Sequence, residues 1–380
     1  MDRDLVIAPA IVLGITLLVS GFSFHRLCTL RIKGYPKWRR ISERIVLCFV
    51  VLAAATVGAG ATFNAVAINH YRACHAPPGN LYVVDRYKMH LHCSGEGSPT
   101  IVLDGGLGDD SLIWAKVQPE LSKTTRVCSY DRAGFGWSDP RPGPRNADRI
   151  VQELHLLLTE AGISGPTVLV GHSVAGLYIR AYAARYPHNL SGLVFVDGST
   201  PLQADRFPDE LREEDKNAER EFMKLKWLEI LGATRVMGQC RHFEGFDDFT
   251  GKMIAENQCR ASQLTAMGKE HQSLGQSGNE TMGTGPFGDL PILIFSQDPH
   301  PSAPSESPTQ AEVEFSKIWN DMQEYLKHLS THSRRIIAKG SSHYIQVDRP
   351  DLLISKVTDF IQQIRGNESQ PTDYGSTKTE

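Results

Sequence analysis

The sequence is poor in several things, and each lack narrows what the chain can be. Charge of one sign is the first. Its 40 Lys and Arg stand against 43 Asp and Glu, a formal net of −3. A chain near balance, with no run of aromatics interleaved with basic residues, offers no footprint for a nucleic-acid partner. Cysteine is the second, with seven in 380 residues. None has CxxC spacing, so no zinc site is expected, and neither is any other metal or cofactor. Cys93 and Cys128 fall in strand-like runs and read as buried hydrophobes. Cys240 and Cys259 could pair in a domain outside the cytosol. There is no internal repeat. At this length two or three domains are usual, although α/β folds often run longer as one unit.

Long apolar runs are present, and both come early. Leu5 to Phe24 carries no charge, and at 1.5 Å per residue about 20 residues cross a hydrocarbon core. Ile45 to Ile68 is also uncharged, with a second half rich in Gly and Ala. The flank MDRD lacks the basic character of a signal peptide. Two transmembrane helices within a 1–75 anchor are therefore expected. The loop between them holds Arg26, Arg31, Lys33, Lys37, Arg39, Arg40 and Arg44 against the single acid Glu43. Short basic loops stay cytoplasmic, which puts everything after residue 70 on the other side. Sequons stand at Asn189, Asn279 and Asn367 and would matter only in a eukaryotic lumen.

From about residue 80 the texture becomes alternating strands and helices. LYVVDRYKMHLHCSG reads as a hairpin. TIVLDGG, TRVCSYD, TVLVGH, SGLVFVDGS, DLPILIFSQD and SRRIIAKGSSH read as strands, and several end in a chemically useful residue. Arg145 to Gly162, Ala311 to Ser330 and Asp351 to Ile364 read as helices. That order implies a mostly parallel sheet covered on both faces, built from 80–200 and 289–366. Residues 201–288 show no strand and are too long for a loop, so a helical cap is expected. Asp298 to Gln310 is rich in Pro and Ser, and the tail 367–380 reads as disordered.

Within TVLVGHSVAGLYIRAYAARYP a serine sits between a buried strand and an apolar-periodic helix. Such a serine is exposed above the sheet, with the first helix amides pointing at what it attacks. Acyl transfer also needs a base, an orienter for it and donors for the oxyanion. His343, after the last strand, is placed to deprotonate Ser173. Asp298, after PILIFSQ, is placed to fix its tautomer. The amides of Leu107, in VLDGGLGDD, and of Val174 would form the oxyanion hole. Gly106 lets backbone approach a ligand closely. His172 is expected at the pocket wall. Trp114 and Trp137 could line an acyl pocket or fill the core.

Four stretches together, DGGLGDDSLIW, YDRAGFGWSDPRPGPR, VGHSVAGL and GSSHYIQVDRP, resemble the α/β-hydrolases from about Leu81 to Ile364. The resemblance implies a doubly wound sheet with a helical cap and a Ser-Asp-His triad. Gly105 takes the place of the family's oxyanion-turn His, and Ala175 that of the second elbow glycine. Some members carry the acid one strand earlier, which here is Asp197. YDRAGFGWS resembles a structural loop of the fold, with Arg132 a ready partner for Asp131. Serine at the elbow argues against dehalogenase and epoxide hydrolase chemistry, whose elbows carry Asp. The expected activity is a membrane-anchored serine hydrolase acting on a small-molecule or lipid carboxylic ester through an acyl-enzyme. Acyl transfer, amide or C–C cleavage, and a non-catalytic receptor or scaffold on the same fold are the alternatives.

Overall fold

The computed structural model describes residues 3–29, 36–201, 203–299 and 309–368. The expected disordered tail lies, but for its first two residues, outside them. So do most of the Pro/Ser stretch and Arg31 and Lys33 of the basic loop. The chain forms two compact units. One joins Met1–Pro77 to Ala218–Gly268, and the other joins Pro78–Asn217 to Lys269–Glu380. The stretch expected as one cap, 201–288, is therefore divided between them.

In the first unit, helix α1 (Arg3–Thr29) pairs with the 38-residue α2 (Lys37–Cys74). Both are long and apolar enough to cross a membrane. A Cβ on Gly58 would lie 3.1 Å from the buried Thr16 side chain, so the helices meet at a small residue. The Gly/Ala-rich end of α2 is not bare. Ala61, Asn64, Ile68 and Tyr71 form a buried stripe at helical spacing. Segment 218–268 contains the end of α5 (Asp209–Ile230), the turn Ala233–Val236, α6 (Asp248–Gln258) and most of α7 (Ala261–Gln272). Cys240 and Cys259 form a disulfide there.

The second unit is an eight-stranded sheet in the order β1-β2-β4-β3-β5-β6-β7-β8. β1 (Asn80–Val84) and β2 (Tyr87–Ser94) make the hairpin, turned at Asp85 and Arg86, which both have positive φ. That is the two-residue turn whose twist matches paired strands. β2 runs antiparallel to β4 (Val127–Tyr130), with Cys93 opposite Cys128. These two cysteines are a disulfide rather than separate buried hydrophobes, because the register brings them face to face. β3 (Thr100–Asp104), β5 (Thr167–His172), β6 (Leu190–Val196), β7 (Ile292–Gln297) and β8 (Ser333–Ala338) complete the parallel part with β4. The apolar runs of β3, β5, β6 and β7 are buried on both faces, as a covered parallel sheet requires.

Helices α3 (Ala147–Glu160), α4 (Ala175–Arg185), α8 (Leu274–Thr281), α9 (Gln310–Tyr325) and α10 (Pro350–Glu368) complete this unit. Leu154 and Leu157 of α3 join Leu177 and Ile179 of α4 and Leu169 and Leu193 of the strands in one core. All the parallel strands share a direction, so their carboxyl ends fall along one edge. Asp104, Tyr130, His172, Val196, Gln297 and Ala338 end there, and the residues singled out in the sequence follow them.

Candidate active site

The turn after β5 is tight. A Cβ on Gly171 would lie 2.7 Å from the Ala175 carbonyl oxygen, and one on Gly176 would lie 2.9 Å from the Ser199 amide nitrogen. Glycine is needed at both places, while Ala175 between them fits, fully buried. Ser173 at the apex has φ +54°, a left-handed conformation that costs a non-glycine residue about 1–3 kcal/mol. Hydrogen bonds on both sides hold it there. Its amide donates to the Val196 carbonyl (3.1 Å), and its carbonyl accepts from the Ser199 amide (2.8 Å). These two bonds tie the serine to the end of β6.

Asp197 follows directly, also left-handed at φ +48°. Its Oδ2 accepts from Nδ1 of His343 at 2.6 Å, and its Oδ1 accepts from the Gln297 amide at 3.0 Å. Asp197 is fully buried and the His343 side chain is one-third exposed. The carboxylate facing His343 is therefore Asp197 and not Asp298. Asp298 instead accepts from the Gly340 amide at 2.8 Å, so it braces the loop that carries His343. The difference lies in where each carboxylate is engaged: Asp197 Oδ2 meets the ring, while Asp298 Oδ2 is taken by the Gly340 amide. β6 lies beside β5, whereas β7, which carries Asp298, lies one strand farther from the serine.

With Nδ1–H committed to Asp197, Nε2 is left as the basic nitrogen. Among the described residues neither it nor Ser173 Oγ has a hydrogen-bond partner. Free enzymes often close that contact only on substrate binding. Trp319 of α9 stands edge-on to the His343 ring, centroids 5.6 Å apart, and stacks on Phe315, which meets Phe207. No spacing in the sequence pointed to this aromatic wall.

His172 lies between two loops. Its Nε2 donates to the His343 carbonyl (3.1 Å), and its Nδ1 faces Asp109 Oδ2 (3.2 Å), which also accepts from the Gly106 amide (2.9 Å). Burial holds the His172 ring's pKa below the ordinary value, against the pull of Asp109. The residue is almost fully buried, and so is Gly106, where a Cβ would lie 2.8 Å from His172 Nδ1. Trp114 has no accessible surface. A side chain in that position touches no space large enough for water and belongs to the core. Trp137 is likewise buried, with its ring 5.1 Å from that of His90.

The amides of Leu107 and Val174 donate no backbone hydrogen bond among the described residues. The turn bearing Leu107 is held from behind by Arg132. Its guanidinium donates to the carbonyls of Gly105 and Gly106, both at 2.7 Å, and pairs with Asp104 (2.6 Å) and Glu270 (3.0 Å). Asp131 was the expected partner of Arg132. It pairs instead with His90 at 2.8 Å and accepts from the amides of Ser111 and Trp137. Arg145, from the same motif, is buried against Glu153. The stretch is scaffold, as expected, with different pairings.

An eight-stranded, mostly parallel sheet with a strained serine after β5 defines a class: this is an α/β-hydrolase-fold protein. Residues 99–236 match the family profile described as alpha/beta hydrolase fold. An uncharacterized protein of Schizosaccharomyces pombe is 28% identical over 331 residues, covering 77% of this chain and 57% of its own length. The chain thus spans little more than half of that relative. An uncharacterized vacuolar membrane protein of Saccharomyces cerevisiae is 28% identical over 129 residues, 29% of this chain and 20% of that one. Among solved structures, a thermophilic esterase from Thermogutta terrifontis superposes with a TM-score of 0.56 at 17% identity, covering 75% of this chain and 98% of its own. At that identity the likeness speaks for the fold alone.

Proposed function

We propose that the chain is a membrane-anchored serine hydrolase that cleaves a carboxylic ester. The observation that carries the reading is the 2.6 Å His343–Asp197 pair, with a serine at φ +54° whose backbone is hydrogen-bonded to Val196 and Ser199 on either side of Asp197. In this mechanism Nε2 of His343 takes the hydroxyl proton as Ser173 Oγ attacks the ester carbonyl. Asp197 holds the ring in the right tautomer and stabilises the imidazolium. The amides of Leu107 and Val174 stabilise the oxyanion. His343 returns the proton to the leaving alkoxide, leaving an acyl-serine. Water, deprotonated by the same nitrogen, then releases the acid.

Anchoring is supported by the two apolar helices, and the basic loop between them supports a non-cytoplasmic catalytic domain. The disulfides Cys93–Cys128 and Cys240–Cys259 support the same side, since such bonds persist in oxidising compartments. Labelling with a fluorophosphonate tests the chemistry without knowledge of the substrate. Wild type should be labelled and Ser173→Ala should not, with both folded. A folded wild type that stays unlabelled would favour a non-catalytic scaffold. Protease protection in sealed vesicles tests the side: digestion from the cytoplasmic face would overturn the orientation.

A further inference from the structure

Helix α2 is longer than a membrane needs. Its first two turns carry Arg39, Arg40 and Arg44, and its apolar run starts at Ile45. A hydrocarbon core of about 30 Å takes about 20 residues at 1.5 Å each. Counted from Ile45, the far interface falls near Asn64. There α2 meets a second partner besides α1. Asn64 donates to the Glu229 carbonyl and accepts from Arg235 Nε at 2.9 Å. A Cβ on Gly60 would lie 2.3 Å from the Leu231 carbonyl oxygen. The end of α5 and the turn after it thus sit against α2 at the depth of the bilayer surface.

Around that contact several large apolar side chains are exposed among the described residues. Phe63 and Val66 of α2 are exposed. So are Trp227 (53%), Val236 (70%) and Met237 (60%), with Met223 one turn before Trp227. Cations interleave them at Lys224 and Lys226. A solvent-facing surface has no use for this set. A bilayer interface does: apolar side chains enter it and lysines reach back to phosphate.

We propose that segment 223–237 lies in the interface of the bilayer that α2 crosses, with Trp227, Val236 and Met237 in contact with lipid. The occupant is lipid because the patch continues the apolar surface of α2. The proposal rests on α1 and α2 spanning the membrane.

Depth-dependent quenching tests it on the full chain in phosphatidylcholine nanodiscs with bromines on the upper acyl chain. Of the five tryptophans, Trp38 and Trp227 are exposed and Trp114, Trp137 and Trp319 are buried. W38F should keep a quenched component and the W38F/W227F double variant should lose it. If W38F alone abolishes quenching, the interfacial placement is overturned while the spanning reading stands. A quenching-silent Trp227 with copies that crosslink would mean that a second chain covers the patch, which also overturns it. Release of the protein by alkaline carbonate would instead bring down the spanning reading beneath it.

Discussion

His343–Asp197 and His90–Asp131 are the same two side chains in two settings. Both pairs stand at the carboxyl edge of the sheet, 2.6 and 2.8 Å apart. His343 is one-third exposed, its Nε2 has no hydrogen-bond partner among the described residues, and a serine is hydrogen-bonded to the backbone on either side of its partner. His90 has no exposure, its Nε2 meets the Pro78 carbonyl, and Trp137 covers its ring. In the proposed mechanism the first pair passes a proton to the substrate. The other can only hold the loop that follows β4. A His–Asp contact is therefore no mark of catalysis by itself. Access for water, a free nitrogen and a strained neighbour separate the two.

The sharpest way to break the comparison is to remove each acid in turn. Asp197→Asn should lower the rate of p-nitrophenyl ester hydrolysis by roughly 10³–10⁴, because the ring loses its tautomer and its imidazolium its countercharge. Asp298→Asn should stay within a few-fold, since that carboxylate braces backbone. A large loss at Asp298 with little at Asp197 would reassign the acid.

At the other pair the loss should fall on stability. Asp131→Asn or His90→Gln leaves a buried partner uncompensated, worth about 3–5 kcal/mol. Urea unfolding should register that, while the folded fraction reacts with fluorophosphonate at the wild-type rate. A slowed labelling rate with unchanged stability would place this pair in the chemistry.

Arg132→Lys should have a smaller effect, on kcat more than on KM. A single ammonium cannot span the carbonyls of Gly105 and Gly106 together with Asp104, so the turn presenting Leu107 loosens. A loss of about tenfold in kcat is expected, below the cost of deleting an oxyanion donor outright. If KM moves and kcat does not, the guanidinium positions substrate rather than the turn.

These contrasts also show what was legible beforehand. The apolar runs bounded by turn residues carried the sheet, because strands buried on both faces read as continuous apolar stretches. The choice between Asp197 and Asp298 was not legible. Both follow a buried strand, and only the three-dimensional direction of each carboxylate, Asp197 toward the ring and Asp298 toward the Gly340 amide, separates them. The Cys93–Cys128 bond was hidden for a related reason: it depends on the register of β2 against β4. The Gly/Ala half of α2 continues the uncharged run, and nothing in that composition says that Asn64 and Gly60 face protein. Hydropathy counts apolar residues and does not say what covers them. In the Arg132 motif, charge made Asp131 the obvious partner, while the backbone sent the guanidinium beneath the glycine turn instead.

The smallest expected effect compares two buried rings in acid and base. Burial opposes the charged form of His90, but the charge and hydrogen bond of Asp131 outweigh it and raise the pKa. Its pairing therefore contributes stability that is full below the unfolded value of about 6.5 and is lost as pH rises through the raised native value. His172 runs the other way. Burial leads, the nearby His343 adds to it, and the Asp109 contact does not make up the difference. As pH falls below about 6.5 the unfolded ring takes a proton that the native ring resists, so stability drops in acid. His172→Gln should flatten the acid side of a Tm profile between roughly pH 5 and 9, and His90→Gln the alkaline side. Should both variants flatten the same side, the two rings share one electrostatic setting, and the contrast between a ring whose pKa is raised by its acid and one whose pKa is lowered by burial is lost.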